Sequence, residues 1–384
     1  MSTKLTNAII SGGGTGGHIF PAISIANEIK RRYPECEVTF VGAKGRMEEE
    51  KVPAAGYDII LLPVEGLSRG KNPIKLFITL WKLLKSRQQI RKELKRIQPQ
   101  IVIGVGGYAS APTLLEANGL KIPTLVQEQN SFAGKTNKLV GKKAETICVA
   151  YKDMARFFPK GKNLILTGNP IRKQLADIQP HAIEAYQHFK LDPKKRTLLV
   201  IGGSLGARTI NESMAAAVKL FASERETMQL LWQCGKGYIK EGQEHLKSQG
   251  LEDKNIVLTD FINRMDYAYS VADLVISRAG ASSISELCML GKPSILVPSP
   301  NVAEDHQTKN AQALVADNAA VMVADADARE ALVPKALELL GAEKQLEVLG
   351  TNALKLACPK ADETIVDEVV KIVEKWEAKK ATKK

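Results

Sequence analysis

The chain has 384 residues, 44% of them hydrophobic and 25% charged, a globular composition whose length favours two domains over one. No uncharged apolar run approaches the ~18 residues a membrane-spanning helix needs, and the first ten residues lack the charged leader and long apolar stretch of a secretory signal. The net charge of +12 admits nucleic acid, a membrane surface or an acidic ligand, so its location decides.

Residues 8–10 read as a first strand, followed by a glycine cluster and a helix over about 21–32. Strands follow at 38–41 and 59–62. Residues 67–96 then carry ten basic side chains and one acid, Glu93, which is most of the charge excess. The segment is also apolar: Ile74, Phe77, Trp81 and Leu84 are interleaved with Lys75, Lys82 and Lys85. Lysines flanking a Trp/Phe/Leu face suit an interfacial helix on anionic lipid; the competing reading is a core-packed helix with a solvated basic face. No aromatic-interleaved recognition motif accompanies the charge, so nucleic acid is not an expected partner.

Further strands are expected at 101–103, 124–126 and 146–149. The pattern breaks over 167–180, at Gly168, Pro170 and Pro180, and restarts with strands at 197–201, 229–232, 256–258, 274–277, 294–297 and 320–323. Strands alternating with helices predict an α/β chain with parallel sheets covered on both faces. Two doubly wound domains are expected, 1–170 and 171–361, with a helix over about 362–380 packing back on the first. The cysteines, Cys36, Cys148, Cys234, Cys288 and Cys358, show no C-x-x-C spacing, which argues against a zinc site or a disulfide framework.

Three glycine clusters close predicted strands. The first, S-G-G-G-T-G-G-H from Ser11 to His18, satisfies G-x-G-x-x-G with Gly12, Gly14 and Gly17. Glycines let the backbone turn tightly beside a phosphate, and a helix N-terminus offers free N–H groups. A dinucleotide dehydrogenase would also need an acid closing the second strand, where Gly42, Ala43 and Lys44 stand instead. The second cluster is G-V-G-G-Y-A-S at 104–110 and the third I-G-G-S-L-G-A-R at 201–208. Together they argue for more than one phosphorylated ligand. The stretch 277–293 adds a helix start rich in hydroxyls, an anion site in its own right. Within it Glu286 pairs with Ser283 as a capping box, or else accepts ribose hydroxyls.

These stretches resemble the MurG family, which adds N-acetylglucosamine to the lipid-linked muramyl-pentapeptide of peptidoglycan synthesis. The resemblance rests on G-G-G-T-G-G-H-I-F-P-A, G-V-G-G-Y-A-S-A-P, Q-E-Q-N-S-F-A-G-K-T-N-K, T-G-N-P-I-R, G-G-S-L-G-A-R, the 277–293 segment and E-D-H-Q-T-K-N-A, in family order over about residues 8–315. Leu205, where many members carry Gln, departs from it. The resemblance implies a GT-B fold, two Rossmann-like domains facing across a cleft. It implies UDP-N-acetylglucosamine as donor and undecaprenyl-pyrophosphoryl-MurNAc-pentapeptide (lipid I) as acceptor, met at the cytoplasmic face of the bacterial membrane by a peripheral enzyme. Transfer would invert the anomeric carbon and release UDP.

Inversion needs a base for the acceptor hydroxyl and stabilisation of the leaving diphosphate. His18 is the candidate base, since an ordinary imidazole pKa of about 6.5 suits the task; the alternative is a His that hydrogen-bonds phosphate or packs behind the loop. By resemblance, Thr15, Gly16 and Gly17 face the donor sugar or the acceptor phosphate, and Asn130 and Gln307 read the N-acetylglucosamine. Ile262 contacts uracil, and Glu286 binds ribose. Arg172, Ser204 and the helix start from Ala281 through Ser282, Ser283, Ile284 and Ser285 are assigned to the UDP. Gly13, Gly14, Gly106, Gly107 and Tyr108 are assigned to the acceptor diphosphate. Asp325-Ala326-Asp327 reads as a helix-capping loop, and neither a catalytic metal nor a cofactor is expected. Two alternatives share the architecture: a nucleotide-sugar 2-epimerase and a non-catalytic, membrane-docked nucleotide-sugar-binding subunit.

Overall fold

The computed structural model describes residues 4–66, 73–171, 175, 178–203, 205–224, 226–252 and 255–382. Two compact units emerge, Met1–Ile171 with Lys360–Lys384, and Arg172–Pro359. In the first unit the order is β1 (Asn7–Gly12), α1 (Gly16–Arg32), β2 (Glu37–Ala43), α2 (Glu48–Ala54), β3 (Asp58–Leu62), α3 (Pro73–Ile97), β4 (Ile101–Gly106), α4 (Ser110–Gly119), β5 (Thr124–Glu128), α5 (Lys135–Gly141), β6 (Thr146–Val149) and β7 (Asn163–Leu166). The second unit runs α6 (Ile183–Phe189), β8 (Arg196–Ile201), α7 (Arg208–Ser223), β9 (Met228–Gln233), α8 (Ile239–Ser248), β10 (Ile256–Thr259), α9 (Met265–Val271), β11 (Leu274–Ser277), α10 (Ala281–Met289), β12 (Ser294–Leu296), α11 (His306–Ala316), β13 (Val321–Met322), α12 (Ala328–Gly341) and α13 (Glu343–Lys355). The last helix, α14 (Ala361–Ala381), belongs to the first unit.

The first sheet has the order β3-β2-β1-β4-β5-β6-β7 and the second β10-β9-β8-β11-β12-β13, with every pair parallel. Central strands such as Ile101–Gly106 are buried along their whole length, as helices on both faces require. In the first unit Ile25 and Ile29 of α1 and Ile365, Val369 and Val373 of α14 cover one face. Ile90 and Leu94 of α3, Leu114 of α4 and Val140 of α5 cover the other. Trp232 centres a core in the second unit, its indole Nε1 donating to Asn211 Oδ1 at 3.0 Å.

Each sheet reverses its winding once, between β1 and β4 and between β8 and β11. Ligand crevices of doubly wound sheets form beyond the strand ends at such reversals. All three glycine clusters, and the turn before α10, leave those four strands.

Two expectations are corrected. Helix α1 starts at Gly16, a turn earlier than the sequence pattern suggests, and Pro21 lies inside it. Proline's fixed φ is helical, and its missing N–H costs only one bond, to the Gly17 carbonyl. The sequence reading also stops the first sheet at 146–149, whereas β7 adds an edge strand. Its residues are only half-buried or exposed, as an edge strand's can be, although Leu164-Ile165-Leu166 is a short apolar run.

Candidate functional site

The first glycine loop turns through Gly13 (φ +150°) and Gly14 (φ +90°), backbone that side-chain-bearing residues rarely adopt. Both of their N–H groups are used inside the protein. Gly13 donates to the Gly106 carbonyl at 3.3 Å, and Gly14 donates to Glu48 Oε2 at 2.7 Å. Glu48 is 1% exposed, and its Oε1 accepts the Ala43 N–H at 2.9 Å. Open backbone donors at the start of α1 include those of Gly16 and Gly17, which lack an acceptor among the described residues. They head a 17-residue helix with no acid in its first turn, so its positive end is uncompensated.

Thr15 is the N-cap of α1, yet its side chain makes no capping bond. Its Oγ1 lies 3.2 Å from His18 Nδ1 instead. The imidazole packs on the next loop: a Cβ at Gly106 would stand 2.8 Å from His18 Nε2. Gly106 and Gly107 have φ of +95° and +88°, and Gly107 abuts the Gly13 backbone. Tyr108 is 45% exposed, with the Arg46 guanidinium 5.8 Å from its ring centroid.

A third loop, after β5, completes this cluster. Glu128 closes a strand of buried residues and accepts the N–H groups of Asn130 and Gly134, each at 3.0 Å, and Asn137 Nδ2 at 2.9 Å. Burial pushes its carboxyl above the usual glutamate range, against the pull of those hydrogen bonds. The same contacts fix the main chain at Asn130, while Gln129 Nε2 donates to the Val105 carbonyl at 2.7 Å and ties this loop to β4. Neither Glu48 nor Glu128 is among the sequence candidates. An acid closing a strand whose centre is Leu125-Val126 is the signal for Glu128.

In the second unit, Gly280 is the N-cap of α10, so Ser283 is the third helical residue and Glu286 the sixth. A capping box needs its serine at the N-cap, and that reading of Glu286 falls. Glu286 is 6% exposed and accepts the Tyr269 hydroxyl at 2.9 Å. Ser282 Oγ is buried and has no hydrogen-bond partner among the described residues. Ile284 is 2% exposed and its N–H goes to the Gly280 carbonyl, so it serves packing rather than a ligand. Ser285 Oγ donates back to the Ala281 carbonyl at 2.9 Å. The N–H groups of Ala281, Ser282 and Ser283 are the first-turn donors that a helix start leaves without an intrahelical acceptor.

Around that helix start, Arg278 donates to the carbonyls of Val297 and Pro298, at 3.1 and 3.2 Å, and pairs with Asp325. Asp325 also accepts the Thr209 hydroxyl at 3.0 Å, so it ties the start of α7 to the loops after β11 and β13. Asp327 occupies the N-cap position of α12 without a side-chain capping bond. Among the described residues no group of three or more His, Cys, Asp or Glu could hold a metal ion. Gln307 Oε1 accepts the Ser299 N–H at 2.8 Å. Glu304 and Asp305, just before α11, both take left-handed backbone, at φ +57° and +53°, strain of the kind concentrated at ligand loops. The Ile262 side chain is 4% exposed, so only its main chain is available to a ligand. Arg172 and Ser204 lie outside the described residues; Leu205, beside Ser204, is 88% exposed.

Helix α3 changes character along its length. Ile74, Phe77, Trp81 and Leu84 are 69%, 71%, 54% and 58% exposed, whereas Ser86, Ile90 and Leu94 are buried. Lys85 Nζ sits 5.2 Å from the Trp81 ring centroid, and Lys82 pairs with Glu65. The side chain of Lys75 lies outside the described residues. Among the described residues no helix is long and apolar enough to cross a membrane.

The family models of the glycosyltransferase family 28 N-terminal and C-terminal domains match residues 8–149 and 197–365. The chain is 55% identical over 371 residues to the UDP-N-acetylglucosamine–N-acetylmuramyl-(pentapeptide) pyrophosphoryl-undecaprenol N-acetylglucosamine transferase of Parabacteroides distasonis, covering 96% of this chain and 98% of that protein. The transferase of the same name from Phocaeicola vulgatus is 55% identical over 96% of both chains. The chain belongs to the MurG family. Its fold matches the crystal structure of Acinetobacter baumannii MurG with a TM-score of 0.75 and 27% identity, over 96% of this chain and 99% of that one. A UDP-GlcNAc 2-epimerase of Neisseria meningitidis matches with a TM-score of 0.64 at 14% identity, over 95% and 99% of the two chains, a likeness of fold alone. Membership in the MurG family makes the chain a glycosyltransferase of GT-B fold, built from two Rossmann-like units.

Proposed function

We propose that the chain is an inverting N-acetylglucosaminyltransferase that moves N-acetylglucosamine from UDP-N-acetylglucosamine to the C4 hydroxyl of MurNAc in undecaprenyl-pyrophosphoryl-MurNAc-pentapeptide. The observation that carries this reading is that each unit has glycine-rich turns leading into helix N-termini at its own winding reversal, in a chain aligned nearly end to end with transferases of that name. A donor and an acceptor that both bear diphosphates call for two such sites. The likeness to 2-epimerases extends to the fold only.

In the second unit the N–H groups of Ala281, Ser282 and Ser283, with the unpartnered Ser282 hydroxyl, receive the UDP diphosphate. Glu286 takes the ribose hydroxyls, held in place by Tyr269. Uracil meets the main chain at Ile262, and Gln307 Nε2 reads the sugar. As UDP leaves, charge grows on the β-phosphate, and donors already fixed by the fold stabilise it without reorganising.

In the first unit His18 takes the proton of the acceptor hydroxyl. The tautomer that allows this carries its proton on Nδ1 and donates it to Thr15 Oγ1, which presents Nε2 as the acceptor. Gly16 and Gly17 supply the anion donors beside it, and the loop after β4, with Gly106, Gly107 and Tyr108, lines the same crevice. The apolar, lysine-flanked start of α3 docks this unit on the anionic cytoplasmic face of the membrane, where a lipid-linked acceptor resides.

The test is a transfer assay with a short-chain lipid-diphospho-MurNAc-pentapeptide. UDP release must depend on the acceptor, and the product must gain one β-linked N-acetylglucosamine. Release of UDP without acceptor as the sole activity, or a free epimer as product, overturns the assignment.

A further inference from the structure

We propose that Glu48 is a positioning residue of the active site, its carboxylate filling the anion seat of the first glycine loop and holding residues 15–18 in their working geometry. The inference rests on the reading of His18 as the group that meets the acceptor. Glu48 opens α2, yet its side chain turns back into the sheet, where it is 1% exposed. Both oxygens are committed, Oε2 to the Gly14 N–H at 2.7 Å and Oε1 to the Ala43 N–H at 2.9 Å. The carboxylate thus bridges the ends of β1 and β2, where a dinucleotide-binding loop of this shape would receive a ligand.

Two glycines make room for it. A Cβ at Gly13 would collide with the Glu48 carboxylate, and one at Gly42 with its Cγ. Gly42 stands at the place where dehydrogenases carry the ribose-binding acid, so one geometry accounts for both the missing acid and the buried one. The chain's own carboxylate excludes a cofactor phosphate from the seat. It also removes Gly14 from the acceptor-diphosphate donors, and the Gly106 carbonyl removes Gly13.

The path to chemistry is short. Gly14 precedes Thr15, whose carbonyl receives the first helical N–H groups and whose hydroxyl orients His18. With Glu48 removed, the buried Ala43 N–H and the part-buried Gly14 N–H lose their acceptor, and the loop is free to drift from the geometry that aims His18. Misplacement by about 1 Å is enough to cost roughly a hundredfold in rate.

The experiment compares Glu48→Ala with the wild type in the full-length enzyme. Expected are a fall in kcat of about a hundredfold, a KM for UDP-N-acetylglucosamine within about twofold, and partial recovery of kcat on adding sodium formate but not sodium chloride. Formate supplies two carboxylate oxygens to the vacated seat, and a residue that merely stabilised the fold would show no such selectivity. A kcat within about threefold of wild type, or a loss that formate fails to relieve, overturns the proposal. Should Glu48→Ala not fold, Glu48→Gln replaces it: one acceptor oxygen remains, and kcat is expected to fall about tenfold at an unchanged melting temperature. A Glu48→Gln enzyme of wild-type kcat overturns the proposal as well. Amide hydrogen exchange separates this from the assigned activity. Gly14 and Ala43 are protected in the wild type and exchange at least about tenfold faster in the variant, whether or not any sugar is transferred. Equal exchange refutes the role of Glu48; absent transfer by the wild type refutes only the proposed function.

Discussion

His18 meets neighbours of different kinds, among them a hydroxyl 3.2 Å from its Nδ1 and a glycine that admits its ring. His18→Ala is expected to lower kcat by about a hundredfold to ten-thousandfold, the usual contribution of a positioned base, while UDP still raises the melting temperature as in the wild type. A kcat within about tenfold of wild type would reassign the imidazole to phosphate binding. Tyr269 makes a parallel case in the second unit. Its hydroxyl donates to Glu286 with both side chains buried, so Tyr269→Phe leaves a carboxylate short of one hydrogen bond. A bond to a charged group is worth about 1.5–3 kcal/mol, which predicts a rise in KM for the donor of roughly tenfold or more, with kcat changed less. Tyr269 was invisible in the sequence because it reaches Glu286 from another helix. Glu286 itself was visible as S-x-x-E, but that pattern served a cap and a ligand equally; only the N-cap at Gly280 separates them. The glycines at 13, 14, 106 and 107 were legible for the reason that they are constrained, since their positive φ restricts the residue. Glu48 was not, because its partners are backbone groups contributed by two other strands.

Helix α3 shows how one pattern can hide two environments. Its 25 residues carry apolar side chains at helical spacing throughout, so the sequence reveals an amphipathic helix but not which turns are packed. The second half is anchored by the core and by Glu116 of α4, which pairs with Arg87 and Arg91 at 2.6 and 2.9 Å. The first half leaves large apolar side chains in solvent. Replacing Phe77, Trp81 and Leu84 with Ser is expected to abolish binding to anionic liposomes in a sedimentation assay, without lowering UDP affinity or the melting temperature. Retained sedimentation would remove this face from membrane docking. Glu116 gives the anchor a pH dependence. Burial alone would raise its carboxyl, but the two arginines hold it below the ordinary value of 4.5. The bridge is therefore at full strength above that value and weakens as pH falls through the lower folded one. Both guanidinium groups are nearly half exposed, so solvent screening limits the cost of Glu116→Gln to about 1 kcal/mol near neutral pH. The variant's melting temperature should converge on the wild type's as the medium is acidified below the carboxyl range.

At the scale of the chain, the two units repeat one winding, with the first strand of each central and the reversal beside it. This was readable from the sequence because alternating strands and helices leave few topologies, and right-handed crossovers leave fewer. One asymmetry matters for stability. The first unit draws its last helix from the far end of the chain, and Ile365, Val366, Val369, Ile372 and Val373 of α14 close the face that α1 covers only in part. Trp376 Nε1 donates to the Lys121 carbonyl at 3.1 Å, and Arg32 reaches the Glu363 carbonyl at 3.2 Å, so the helix is bonded at both ends. Five aliphatic side chains buried by one helix are worth roughly 1.5–3 kcal/mol each, a total comparable to the ~5–15 kcal/mol stability of a whole domain. A chain ending at Pro359 is therefore expected to lose the first unit's cooperative unfolding transition in calorimetry. The second unit contains its own sheet, its own core and the whole α10 site, and it should keep a transition that UDP shifts upward. Two intact transitions in the truncated chain would show that α14 is dispensable to the fold. Loss of the UDP-dependent shift would show that the donor site needs more than the second unit supplies.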